Sequence, residues 1–266
     1  MSTPEPAQRS ALGEYLARPM TPPHGDVLAA IDAGPVAPAR ALALADVARL
    51  LDPAPLDVEN GWCTLPGGVA FVAVRTAMPS VTAQMVDWWF DWHPRESLRY
   101  RVWHPRAHRA NSLQAPDRPG AKAHWHAVHH PVEDVGVGVV HARIAFMPPG
   151  ELGMPGDVLD DERVATIVCG LVGDDRRRVR HTPMFHVFLR EGNGVVLRSA
   201  FWLGAAIRPY GPAGALGERL LNNRFVRRAT LPARLPRALA THCAEEYANL
   251  ATLLPELHAR FAPNAR

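Results

Sequence analysis

Cysteine is scarce. Cys63, Cys169 and Cys243 are an odd set with no CxxC spacing, which excludes a disulfide framework and a thiolate zinc motif and fits a reducing compartment. Long apolar runs are missing too. No stretch approaches the roughly 18 apolar residues a membrane span requires, and no basic N-terminal segment leads into an apolar run. A soluble, cytoplasmic protein is expected. Nor does charge of one sign dominate: Lys and Arg number 29 against 26 Asp and Glu, a formal +3. The pI near 9.0 comes from arginines spread along the chain, which gives no nucleic-acid surface. The one basic run, Arg176-Arg177-Arg178-Val179-Arg180, follows Gly173-Asp174-Asp175 and reads as a solvated loop. No internal repeat is present.

A chain of 266 residues, 47 % of them hydrophobic, is long enough to bury one large core and carry a small appendage. The appendage is residues 1–58, where Pro19, Pro22, Pro23, Pro35, Pro38, Pro53 and Pro55 exclude a long helix. Its best local helix runs from Ala39 to Leu51, and the arm is expected to pack on the main domain or on a second subunit. Residues 59–266 form that domain.

The domain opens with a hairpin, Gly61 to Leu65 and Val69 to Arg75 around Pro66-Gly67-Gly68. Pro79 and Ser80 then open a helix with Val81, Met85, Trp88 and Trp92 on its buried face. Alternation from Leu98 to Trp103 reads as a strand, as do Val132 to Met147, Val164 to Val172, Pro183 to Arg190 and Val195 to Gly204. The last two are joined through Glu191-Gly192-Asn193-Gly194, a hairpin signal because Gly and Asn tolerate positive φ. A short helix is expected from Leu216 to Phe225. The final helix begins between Pro232 and Pro236 and runs toward Phe261, with Pro255 expected to kink or end it. The pattern is α+β, with the long helix lying across a curved antiparallel sheet.

That helix carries the chemistry. Leu235, Leu239, Leu250, Leu253, Leu257 and Phe261 recur at helical spacing, and the same spacing carried through the gap lands on His242 and Glu246. Burying both unpaired would cost several kcal/mol, roughly the range for unpartnered polar groups. Either a divalent metal or a plain His–Glu hydrogen bond must compensate them. Zinc leads for such donors; iron, manganese and cobalt accept the same set. Two ligands on one helix do not complete a site. The loop that follows Trp103 offers His104, His108, His124, His126, His129 and His130, and the strand after it Glu133 and Asp134; composition does not choose among them. Cys243, beside His242, reads as a small core residue rather than a nucleophile.

The run Trp88-Trp89-Phe90-Asp91-Trp92-His93-Pro94, followed by Tyr100, Trp103-His104-Pro105 and His108-Arg109-Ala110-Asn111, resembles the diacetylphloroglucinol hydrolase family, which includes phloretin hydrolases. The resemblance covers about Gly61 to Phe261. It implies a helix-grip, Bet v 1-like domain, a helical N-terminal part making homodimer contacts, and zinc-dependent hydrolysis of the carbon–carbon bond between an acyl group and a polyhydroxylated aromatic ring. Carried over position by position, it implies that His108, Glu133, His242 and Glu246 hold the metal. Asn111 and Tyr100 would bind ring oxygens, and His186 would sit in the pocket as a polar or proton-transferring group. For the chemistry itself, His186 or a metal-linked Glu could move the protons, because both can be tuned to titrate near neutral pH. One carboxylate, Glu246 or Glu133, is expected to bind loosely and yield to water.

Read without the resemblance, Tyr100 and His186 are half-buried strand residues, and Asn111 shapes a turn. Where the family pattern has a second tyrosine, this sequence has Phe201, which argues against diacetylphloroglucinol itself as substrate. A different acyl phenol or diketone is the alternative, and a non-catalytic carrier of hydrophobic ligands the non-enzymatic one. Trp88, Trp92, Trp103, Phe185, Phe188, Phe201 and Trp202 supply aromatic surface enough to hold a flat phenolic ring.

Overall fold

The β-prone runs from Gly61 to Leu203 pair into one antiparallel sheet in the computed structural model, which describes residues 6–116, 120–210 and 221–262. Strands β1 (Gly61–Thr64) and β2 (Ala70–Met78) form the expected hairpin. Between them and the meander lie β3 (His108–Ala110), β4 (Leu113–Gln114), β5 (Val128–His129), β6 (Val132–Asp134) and β7 (Val139–Met147). The meander itself is β8 (Val164–Asp174), β9 (Val179–Glu191) and β10 (Gly194–Leu203), with Gly192 at φ 58° in the last turn. The order is β1-β2-β10-β9-β8-β7-β5-β4, so β10 closes back onto β2. Strand β3 pairs with β6 beside β7, and β11 (Arg208–Pro209) pairs with β9.

Helix α6 (Leu235–Phe261) lies across the inner face of this sheet, the helix-grip arrangement. Its Cys243, Tyr247, Leu250 and Leu254 join Val72, Val74, Val168, Phe188, Leu197 and Phe201 in one core. A second core covers the outer face, where Leu42, Val47, Leu50 and Val58 of the arm meet Phe71, Phe185, Val187 and Trp202. Strand β10 is therefore buried at every position. Two covered faces explain why it reads as a near-continuous apolar run. Each large apolar side chain so buried contributes about 1.5–3 kcal/mol. Arg198 anchors the arm from β10, donating to the carbonyls of Leu50, Asp52 and Ala54 and to Glu59 Oε1.

Several expectations need correction. Residues Leu98 to Trp103 are not a strand but helix α4 (Ser97–Trp103). Six residues cannot separate the two periods, and only the helix puts Tyr100 and Trp103, three apart, on one buried face. Ala39 to Leu51 is not an α-helix. Regular helices in the arm are α1 (Pro6–Leu16) and α2 (Gly25–Asp32), while Leu44–Leu51 is 3₁₀ interrupted by a kink at Asp46, after which Val47 and Leu50, three apart, are buried toward the outer face. Helix α3 (Ala83–Trp92) is rotated from the expected face. Val86, Trp89, Phe90 and Trp92 are buried, and Met85 and Trp88 only half so.

The strand expected over Val132 to Met147 is broken into β6 and β7, because Asp134 Oδ1 accepts from Gly136 N–H (2.9 Å) and Gly138 N–H (3.1 Å) in a turn. Gly136 has φ 84°, and a Cβ there would stand 3.1 Å from that of Ala238, so the turn seats tightly against α6. Pro255 does not end α6. Leu254 and Leu257 are fully buried and Phe261 stacks on Trp92, packing that carries the helix past its missing bond. The helix expected over Leu216 to Phe225 lies mostly outside the described residues; α5 (Arg224–Thr230) begins at its end. Among the described residues no helix is long and apolar enough to cross a membrane.

Candidate metal centre

Pairing of β3 with β6 sets His108 directly opposite Glu133. Helix α6 crosses this point with His242 and Glu246 one turn apart. The Nε2 of His108 stands 3.4 Å from Glu133 Oε2 and 3.5 Å from Glu246 Oε2; the Nε2 of His242 stands 3.7 and 3.8 Å from the same two atoms. One donor atom each from His108, His242 and Glu246 fits within 4.8 Å, and all three residues are buried. Glu133 reaches the same imidazoles.

The protonation pattern follows from the partners. The Nδ1–H of His108 donates to the carbonyl of Tyr100 at 3.0 Å, which leaves the Nε2 lone pair facing the carboxylates. That nitrogen is buried and has no hydrogen-bond partner among the described residues. A neutral imidazole with an orphaned, inward lone pair beside two carboxylates and a second imidazole is a donor set that fits a divalent metal. Burial pushes the His108 imidazole well below its ordinary value. Burial alone would lower His242, but Glu133 and Glu246 outweigh it and raise the group. Glu246 is lifted by burial against the pull of His242. Burial works to raise Glu133 as well, yet His242, His108 and Tyr100 together hold it below the usual carboxylate range.

Tyr100, on α4, lies flat against His108 with ring centroids 3.8 Å apart, and its phenol donates to Glu133. Asn111 is buried just past β3. Its backbone is held by Ser97 Oγ, while its Oδ1 has no partner among the described residues. His186, on the inner face of β9, shares a hydrogen bond with Ser199 through Nδ1 at 2.8 Å and packs edge-on against Phe201. Burial pushes its imidazole down to about 3, so it is neutral at neutral pH. Of the two kinds of group expected to titrate near neutrality, His186 therefore does not, whereas burial lifts Glu246 toward it.

His124 and His129 are buried against Phe146, outside the cluster, with ring nitrogens unpartnered among the described residues, and three other loop side chains are engaged elsewhere. His104 Nδ1 accepts from Ala107 N–H, so its Nε2–H donates to Glu245, and its ring stacks on His242. His130 pairs with Asp175, and Asp134 serves its turn. The aromatic wall is smaller than the sequence implied. Phe185 and Trp202 face the outer core, and Trp88 and Trp92 pack on His258 and Phe261 at the end of α6. Trp103 spends its indole N–H on the carbonyl of Glu246. A cavity of about 670 Å³ beside Ala244, Ala248 and Ala251 of α6 and Thr21 to His24 of the arm includes none of the clustered side chains. Two groups escaped the sequence reading: Ser199, and the phenol of Tyr247 on α6, whose ring lies 4.9 Å from that of His186. Only the strand-to-helix packing brings these together.

A family model described as DAPG hydrolase PhiG domain matches residues 42–259. Phloretin hydrolase of Eubacterium ramulus is 29 % identical over 275 residues, covering 97 % of this chain and 96 % of its own. A 2,4-diacetylphloroglucinol hydrolase of Pseudomonas protegens is 32 % identical over 234 residues, covering 83 % and 74 %. Among solved structures, that of Ara h 8.0201 is a loose likeness at 7 % identity, with a TM-score of 0.40 over 71 % of this chain and 99 % of its own.

Proposed function

The chain belongs to the DAPG hydrolase family and is a hydrolase of carbon–carbon bonds, and from that premise we propose that it cleaves acylphloroglucinols or phloretin-like ketones between the acyl carbon and the ring, with zinc held by His108, Glu133, His242 and Glu246. The observation that carries the metal is the orphaned, buried Nε2 of His108, aimed at the two carboxylates that also face His242. When bound, the ion polarises the acyl carbonyl and stabilises negative charge on its oxygen.

The remaining work falls to the chain. Water adds its hydroxyl to the acyl carbon, the carbon–carbon bond breaks with its electron pair on the ring carbon, and that carbon takes a proton, giving a carboxylic acid and the deacylated ring. Tyr100 is fixed at the cluster by its hydrogen bond to Glu133 and its stack on His108, and holds a transferable proton there. Neutral His186, oriented by Ser199, offers a hydrogen bond or accepts a proton from the opposite wall. Asn111 contributes a buried carbonyl oxygen to a ring hydroxyl. Phe188 and Phe201 exclude water and hold the flat ring.

The test is elemental analysis of the purified protein beside a His242→Ala control, followed by assay of the metal-loaded enzyme on acylphloroglucinol and dihydrochalcone ketones. Release of the matching carboxylic acid is expected. Metal-loaded enzyme inert across the panel would remove the substrate claim.

A further inference from the structure

Tyr247 follows Glu246 on α6 and is fully buried, with an exposure of 0 %. Its phenol oxygen has no hydrogen-bond partner among the described residues. The ring packs tilted on His186 at 4.9 Å, edge-on against Trp103 at 5.4 Å, and against Phe188 at 6.3 Å. For filling that space a phenylalanine would serve as well. A buried hydroxyl left unpaired costs about 1–3 kcal/mol, and folded proteins carry few of them.

Among the described residues nothing hydrogen-bonds the phenol. Phe188 and Phe201, on the wall it approaches, have no polar side-chain atom, and Nδ1 of His186 is already bonded to Ser199. One residue along the helix is about 100° around it, so Tyr247 leaves α6 toward β9, while Glu246 faces β3 and β6. Trp103 carries the ring of Tyr247 on one edge and packs against Tyr100 and His108 as well, so a flat ring bound at the cluster would meet Tyr247 beside Tyr100 and Asn111. We infer that Tyr247 is a substrate-binding, specificity-determining residue whose phenol hydrogen-bonds a hydroxyl of the polyhydroxylated ring. This rests on the reading of the cluster as the site of acyl-arene hydrolysis.

The test compares wild type with Tyr247→Phe, both metal-loaded and matched for metal content, on two aryl ketones: one with three ring hydroxyls on alternating carbons, one with a single hydroxyl. The variant is expected to lose about tenfold to a hundredfold in kcat/KM on the trihydroxylated ketone, the worth of one buried hydrogen bond. Loss on the monohydroxylated ketone should be much smaller, and Tm should stay level or rise, because the group removed has no partner among the described residues. A merely structural tyrosine would lower Tm and leave the discrimination between the ketones as it is. If wild type hydrolyses both ketones and the variant discriminates between them as wild type does, Tyr247 is not a substrate contact and the wider reading stands. If wild type hydrolyses neither, both fall.

Discussion

The indole N–H of Trp103 donates to the backbone carbonyl of Glu246 at 2.9 Å. It ties α4, which sets Tyr100 on His108, to the turn of α6 that presents His242 and Glu246. Trp103→Phe keeps most of the apolar contact and removes the bond. A loss of about 1–3 kcal/mol is expected, since a buried carbonyl loses a partner and a small gap opens. Urea midpoints at constant m-value measure it; an unchanged midpoint would mean the tie contributes nothing.

Metal content should separate the clustered side chains from their look-alikes. His108→Ala and His242→Ala are expected to fall from near one metal per chain to about a tenth or less, because each removes a nitrogen facing both carboxylates. Asp134→Asn and Glu245→Gln should keep wild-type content, since Asp134 serves the Gly136 turn and Glu245 pairs with His104 and Arg106. Chelation should lower the wild-type Tm and leave that of His242→Ala unmoved. Equal metal loss in the Asp134 variant would place the site elsewhere.

Much of this arrangement could be read from local periodicity. The period of α6 put His242 and Glu246 inward, and both are buried. The β9–β10 hairpin followed from its turn residues. What resisted reading was non-local. Six loop histidines look alike in one dimension, and only the β3–β6 register sets His108 opposite a carboxylate. Alternation over Leu98 to Trp103 was too short to show that Tyr100 and Trp103 share a helical face. Phe185 and Trp202 read as pocket aromatics because nothing local reveals that the arm covers the sheet's outer face.

Acid should weaken the fold through buried neutral histidines. Burial pushes His93 and His186 down to about 3 and His124 to about 4, from 6.5. Between 6.5 and those values the unfolded chain holds protons that the folded chain does not. Stability therefore falls as pH falls, by about 1.4 kcal/mol per pH unit for each histidine, and this contribution levels off below the folded values. Unfolding midpoints between pH 7 and 5 should show the slope, and His124→Leu should flatten it. An equal slope in that variant would assign the acid sensitivity to other groups.

Asn249 joins three segments with one carboxamide. Its Oδ1 accepts from Thr21 N–H of the arm at 3.0 Å, and its Nδ2 donates to the carbonyl of Trp103 at 2.8 Å and more weakly to that of Val102 at 3.5 Å. The last carbonyls of α4 have no further turn of helix to bond, so the carboxamide acts as their cap. Asn249→Ala should cost about 2–4 kcal/mol, from two good buried bonds and one weak one. Asn249→Asp keeps the bond to Thr21 but aims a carboxylate at two carbonyl oxygens. That contact raises the folded pKa above the unfolded 3.9 or so, so the folded state holds the extra proton. Relative to wild type, the Asp variant should be least stable at neutral pH and recover as pH drops through the raised value. A deficit that stays constant with pH would show that the carboxylate turns away from α4, and that the cap is not what Asn249 provides.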